Sequence, residues 1–224
     1  MRCLFLANCG ILLQTENASL AVDTPNGAHT LFDGLPEEVL KQMAAGEAPF
    51  EHLRGFLFTH RHSDHYDKKR LHNVLVRRPE LTSLSPSGVT PESGEFVWDP
   101  FRVRYCTIPH SGVEFSSVSH RVYLISADGK TVYVTGDADW SPERHLAALD
   151  GCKPDLAVWN SNVFTHEESR KLLERSAKNV INHLPLFSDD TLGVGRKCAS
   201  VRTRIGSEYP NVFFADQPGF SVEI

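Results

Sequence analysis

The stretch Phe56–Leu71, FLFTHRHSDHYDKKRL, decides the reading of this chain. Phe56, Leu57 and Phe58 close an apolar run, LRGFLFT at 53–59, with the length and composition of a buried strand. His60, His62, Asp64 and His65 follow at once, and DKKRLHNVLVRRPE from Asp67 onward reads as a helix. A strand that ends in three imidazoles and a carboxylate within six residues points to metal chemistry. Neutral imidazole and carboxylate are good ligands for zinc and similar ions. In a loop, histidines at i and i+2 can aim two rings at one ion.

The rest of the chain repeats the arrangement at other strand ends. SLAV runs into Asp23, VRYCTI delivers His110, TVYVTG runs into Asp137, and KNVIN ends at His183. Open α/β sheets place their sites at the carboxyl ends of strands, where loops converge on one edge. Several separate strands therefore bring a ligand-type residue to that edge. A second ion needs imidazoles of its own and a carboxylate between the two sites, a role that suits Asp137. Two ions roughly 3.5–4 Å apart can share a hydroxide and hold both attacking and leaving oxygens.

Between these points the pattern mixes hairpins with strand–helix units. CLFLANCGILLQTE and ASLAVDTP read as an opening hairpin. PEEVLKQMAAG is a helix started by Pro36 and stopped by Gly46. TSLSPSGVTPESGEFVWD is a turn-rich connection with short extended pieces, and FRVRYCTIP alternates as a strand. HRVYLISADGKTVYVTGDAD is a hairpin turned at Asp128-Gly129. SPERHLAALDG is a helix with Ser141 as cap and Pro142 at its first position. PDLAVWN and AKNVINHL are strands. They flank THEESRKLLERS, a helix with Thr165 and Glu168 at capping-box spacing. A helix is expected within 189–206, and NVFFADQPGFSVEI closes the sequence in extended form. With no linker, low-complexity tract or repeat, the expectation is one α/β domain over 1–224 with layered sheets and helices.

Composition excludes several classes. Apolar residues make up 41% of the 224, enough for a core without disulfide staples. The five cysteines, Cys3, Cys9, Cys106, Cys152 and Cys198, are odd in number and form no CxxC, as expected of free thiols in a reducing cytoplasm. A formal charge of −5 argues against a general nucleic-acid binder. The basic clusters Lys68-Lys69-Arg70 and Arg196–Arg204 read as solvated faces. No apolar run approaches the ~20 residues of a membrane span. MRCLFLANCGILLQ lacks an A-x-A cleavage site and reads as a first strand, not a signal peptide. There is no GxSxG elbow, P-loop or GxGxxG.

THRHSDH at 59–65 matches the T-H-x-H-x-D-H signature of the metallo-β-lactamase superfamily, and the order of the remaining residues resembles that family over nearly the whole chain. The resemblance implies a four-layer αββα sandwich, its halves a distant duplication, with two divalent metal ions in the cleft between the sheets. It implies that His60, His62 and His110 hold the first ion. Asp64, His65 and His183 would hold the second, Asp137 would bridge, and Asp23 would orient the histidine loop. His110 is preferred to His120 because it directly follows a strand and stands well before the hairpin. His166, at a helix start, is a candidate to bind substrate or protonate a leaving group. The plainer reading makes it an ordinary helix-start histidine. Asp139, Trp140, Asn8 and Asn160 are further candidates to line the cleft. His29, His52, His72 and His145 read as ordinary surface or core residues.

The implied activity is that of a metal-dependent hydrolase, with Asp64 and Asp137 in the catalytic centre, a bridging hydroxide as nucleophile, and zinc favoured over manganese or iron. Its substrate is a small molecule, and two cations favour a phosphodiester or another small anionic ester. True β-lactamases of this fold are secreted and usually carry a cysteine where this chain has Asp137, which argues against an antibiotic role. The compact layout is similar to single-domain bacterial metal-dependent hydrolases rather than to the RNA-cleaving or flavin-linked members with added domains. The alternative is an iron-containing redox protein, or a metal-binding regulatory protein, on the same fold. Oligomeric state is not legible in the sequence.

Overall fold

The computed structural model describes residues 1–29, 32–87, 92–164, 167–184, 203 and 208–224. Its strands fall into two sheets. The first takes β1 (Arg2–Ala7), β2 (Gly10–Gln14), β3 (Ser19–Val22), β4 (Leu53–Leu57), β5 (Thr82–Leu84) and β13 (Ser221–Glu223), in the order β13-β1-β2-β3-β4-β5. The second takes β6 (Ser93–Trp98), β7 (Phe101–Cys106), β8 (Val122–Ala127), β9 (Lys130–Val134), β10 (Leu156–Asn160), β11 (Lys178–Asn182) and β12 (Val212–Phe214), in the order β12-β11-β10-β9-β8-β7-β6. Each half of the chain thus builds one sheet, and among the described strands only β13 crosses back, pairing antiparallel with β1.

Period-two side-chain alternation explains the layering. Leu13, Leu20, Val22 and Leu57 of the first sheet share a core with Tyr123, Ile125, Val132, Val134, Val158 and Val180 of the second. Their neighbours Leu12, Ala21 and Phe56 turn the other way, onto Leu40, Met43, Leu71 and Val74 of helices α1 (Glu37–Ala45) and α2 (Lys68–Arg77). Leu124, Tyr133 and Trp159 likewise face outward, onto Leu149 of α3 (Pro142–Leu149) and onto Leu172 and Leu173. Strands buried on both faces need uninterrupted apolar runs, which is why LAVWN and GFLF read as continuous rather than alternating. The result is a helix–sheet–sheet–helix stack, the expected αββα class.

Local chemistry sets the ends of the elements. Asp67 caps α2 by accepting the Lys69 and Arg70 amides. Gly46 closes α1 at φ +70°, a conformation that costs glycine nothing. Three details depart from the sequence reading. The first apolar run is two strands, turned at Asn8-Cys9 with Asn8 at φ +48°. Asparagine tolerates that region and so reverses a chain with neither proline nor an Asx-Gly pair. Ser141 occupies the cap position of α3 without a side-chain cap bond; Asp139 accepts the Ser141 amide instead, at 2.7 Å. The run after residue 166 is a single α-turn, α4 (Glu167–Arg170), continued as a 3-10 helix over Lys171–Arg175. Apart from Thr203, the helix expected within 189–206 lies outside the described residues, as do Cys198 and the Thr165 cap. Among the described residues no helix is long and apolar enough to cross a membrane.

Candidate metal centre

β3 and β4 run parallel in the first sheet, and β9, β10 and β11 run parallel in the second. Their carboxyl ends meet at one edge of the sandwich. The two sheets are stitched together there: the Tyr123 hydroxyl donates to the Phe58 carbonyl at 2.7 Å, the Arg121 amide to the Thr59 carbonyl at 2.8 Å, and the Asn182 amide group to the Cys9 carbonyl at 3.1 Å. The His110 loop is tied to the Asp137 loop through Ser111 N–H to Asp137 O at 2.8 Å and Asp139 N–H to Pro109 O at 2.7 Å.

Four imidazoles gather on one oxygen at this edge. Asp137 Oδ2 lies 3.3 Å from His65 Nε2, 3.5 Å from His183 Nε2, 3.6 Å from His110 Nε2 and 3.9 Å from His60 Nε2. The other oxygen, Oδ1, accepts from Asn160 Nδ2 at 2.5 Å. The Asn160 amide is oriented in turn, because its own oxygen accepts from the Asn162 backbone N–H at 2.9 Å. Around this carboxylate the potential ligand atoms form overlapping groups: His60, His62 and His110; His60, His65 and Asp137; and Asp64, His65 and His183. His183 Nε2 is 3.2 Å from Asp64 Oδ2, and His60 Nε2 is 3.1 Å from His62 Nδ1.

Asp23 sets the histidine orientations. Its carboxylate accepts the Thr59 amide at 2.7 Å, the Thr59 hydroxyl at 2.8 Å and His65 Nδ1–H at 3.0 Å. With its proton given to Asp23, the Thr59 oxygen is free to accept His60 Nδ1–H, 3.1 Å away. One buried carboxylate therefore fixes two rings with Nε2 turned inward, the arrangement that metal-binding histidines need. His110 Nδ1–H donates to the Ser111 carbonyl at 2.7 Å, which frees its Nε2 in the same way. The Nε2 atoms of His65, His110 and His120 are buried without a well-formed hydrogen bond, and those of His65 and His110 face Asp137 Oδ2 at 3.3 and 3.6 Å, an arrangement that a cation among them would satisfy. That donor set suits divalent cations.

Electrostatics agree with the geometry. Burial, helped by the neighbouring His65, holds His60 well below the usual histidine range, and burial with His110 lowers His62. Both rings are thus neutral, the ligating form. Burial would raise the Asp137 carboxyl, but the His183, His65 and His110 imidazoles that face it hold it well below its ordinary value. Burial opposes a charge on His65, yet the Asp137 and Asp23 carboxylates on either side of the ring raise it well above the usual range. The ring lies between the two carboxylates, its Nδ1 3.0 Å from Asp23 Oδ2 and its Nε2 3.3 Å from Asp137 Oδ2.

Backbone details match. Asn8, Asp23 and His183 all sit at positive φ, at +48°, +51° and +57°, where the chain must turn sharply to aim a side chain into the cleft. Gly136 is at φ +51°, and a Cβ there would lie 2.5 Å from Thr59 Oγ1. The glycine of Thr135-Gly136-Asp137 is what lets that loop pass over the threonine serving Asp23.

The structure thus brings together His60, His62, Asp64, His65, His110, Asp137 and His183, with Asp23 behind them. His120 belongs to none of the groups. It lies beside His60 and His110 at ring separations of 5.2 and 5.8 Å, its Nδ1–H held by the Ile108 carbonyl at 2.9 Å. Burial pushes it down to about 3. His166 lies outside the described residues. Asp139 is occupied by the Ser141 amide and Arg144. His145 is a core residue between the Tyr133 hydroxyl and the Asp139 carbonyl, whereas His29, His52 and His72 are exposed. Residues with no advance signal also serve the site. Asn26 and Cys9 join Asn8 in donating to the Asp64 carbonyl, at 2.8, 3.0 and 3.1 Å. Phe32 stands edge-on to His183 at 4.1 Å. Asn160, like the ligand-type residues, stands at the carboxyl end of its strand, β10.

No family model matches the sequence, and no curated protein matches it. Solved structures do. An isothiocyanate hydrolase from Delia radicum gut bacteria aligns over 100% of this chain and 99% of its own, with a TM-score of 0.63 at 14% identity. The metallo-β-lactamase fold protein YhfI from Bacillus subtilis aligns over 99% of both chains, with a TM-score of 0.66 at 13% identity. CmlA, a diiron β-hydroxylase from Streptomyces venezuelae, covers 100% of this chain with 54% of its own, with a TM-score of 0.63 at 11% identity. The layers, the strand order and these likenesses converge on one conclusion: this chain has the metallo-β-lactamase fold.

Proposed function

We propose that the chain is a single-domain, metal-dependent hydrolase of small molecules with a dinuclear centre. His60, His62 and His110 would hold one ion, Asp64, His65 and His183 would hold the other, and Asp137 would serve both. The observation that carries this reading is the convergence of four Nε2 atoms on one Asp137 carboxylate oxygen, Oδ2, at 3.3 to 3.9 Å, with Asn160 holding the other oxygen away. Bound divalent ions, zinc in the first instance, supply Lewis acidity and an acidified water. The protein's part is to keep His60 and His62 neutral, to keep Asp137 ionised, and to fix ring directions through Asp23 and Thr59. A buried, rigid donor set of this kind holds its charges where charge develops in the reaction, with little reorganisation.

The reacting centre is an electrophilic carbon or phosphorus whose oxygen or leaving group takes up negative charge. The test is hydrolysis of a panel of carboxylic and phosphate esters by the zinc-loaded protein and by Asp137→Ala. Turnover by the parent and none by the variant is expected; equal turnover by both would remove Asp137 from the mechanism. A redox reading on the same residues draws support from the diiron hydroxylase of this fold. Iron in the purified protein, with no ester turnover, would place that reading first.

A further inference from the structure

The loop that follows His110 carries two apolar side chains that no packing need explains. A 3-10 turn over Val113–Phe115 opens at Gly112, whose φ of +90° requires glycine. The turn is closed by Phe115 N–H to Gly112 O at 3.1 Å and Val118 N–H to Phe115 O at 2.8 Å. It leaves Val113 91% and Phe115 37% exposed. Single exposed apolar residues are ordinary. Phe115 is placed unusually: its ring lies 4.8 Å from His110 and 5.1 Å from His62, in contact with two imidazoles of one candidate ligand group, and Val113 stands two residues before it on the same turn. On the opposite flank Phe32 meets His183 at 4.1 Å, but that ring is 9% exposed and closes its side. The site is therefore flanked by phenyl rings, one buried as a wall and one open as a lip.

We infer that Val113 and Phe115 are specificity-determining residues that receive an apolar alkyl or aryl substituent of the substrate, with the reacting group on the metals. This rests on the function proposed above. Position supports it, since a molecule engaged at the His62–His110 side extends outward across the Phe115 ring. Charge supports it as well. The only charged side chain in Ser111–Val118 is Glu114, which opposes an anionic group at the lip and tolerates a neutral one. Covering an otherwise wetted valine and phenylalanine with a phenyl-sized group is worth about tenfold in affinity. The substrate class narrows to small electrophiles with a neutral apolar arm.

The test uses two metal-chelating probes that differ only in that arm. Acetohydroxamate and benzohydroxamate are titrated calorimetrically into the zinc-loaded protein and into Val113→Ser/Phe115→Ala, with zinc content measured on each sample. The expected result is tighter binding of benzohydroxamate to the parent by about tenfold, and a ratio near one in the variant, with zinc retained. Equal affinities in the parent, or a preference that survives in the variant, would overturn the lip while leaving the metal centre standing. A parent that takes up no zinc would overturn the metal centre, and the lip with it. Both positions are surface-exposed, so the variant is expected to fold.

Discussion

Replacing Asn160 with leucine removes one donor and little volume. In the parent, Asn160 Nδ2 donates to Asp137 Oδ1 at 2.5 Å, and the four imidazoles gather on Oδ2. The Asp137 side chain is 11% exposed, so water cannot replace the lost donor fully. A hydrogen bond to a charged group contributes about 1.5–3 kcal/mol. Loss of a partner behind a metal-binding residue typically weakens the metal by about 10–100-fold, which is about 1.4–2.7 kcal/mol. The two scales agree, and Asn160→Leu is expected to weaken zinc within that range in competition with a chromophoric chelator. The substitution also strips the Asn162 amide of its acceptor, worth about 1 kcal/mol. That loss belongs to folding and appears in the melting temperature of the metal-free protein. Zinc affinity within twofold of the parent would refute the argument that Asn160 directs Asp137.

Asp23→Asn removes an anion that receives three donors and is expected to cost about 2–3 kcal/mol in urea unfolding and to weaken metal uptake; unchanged stability would dismiss its orienting role. Gly136→Ala places a Cβ at φ +51°, 2.6 Å from Thr59 Cβ, and is expected to cost about 2–4 kcal/mol in the same assay. Burial pushes His145 from 6.5 down to about 4, so its neutral form contributes stability that is complete above pH 6.5 and is lost as pH falls towards 4. That drop is worth about 3 kcal/mol. The difference in unfolding free energy between the parent and His145→Gln should therefore narrow across that window, and a pH-independent difference would contradict it.

The residues most legible in the sequence were those obeying two rules at once: a ligand-type side chain and a position just beyond an apolar strand. His60, His62, Asp64, His65, Asp137 and His183 satisfy both. His110 lies four residues beyond β7, and the isolated bridge from His110 to Ala138 brings it back to the edge. The layered class was legible because Leu12 and Leu13, or Tyr133 and Val134, are apolar in succession, as strands covered on both faces must be. The turn at Asn8-Cys9 was not, because an asparagine in left-handed conformation leaves no proline or Asx-Gly mark. Nor were Asn26 and Phe115, whose roles depend on tertiary placement: Asn26 reaches Asp64, 38 positions away, and Phe115 meets His62 from a separate loop.

The most direct test of the central claim is the metal content of the protein, purified without added metal or chelating resin and measured by plasma mass spectrometry beside His60→Ala and Asp137→Ala. The account predicts close to two zinc or manganese ions per chain in the parent and fewer in both variants. A parent that holds no metal, and takes up none on titration, would contradict it.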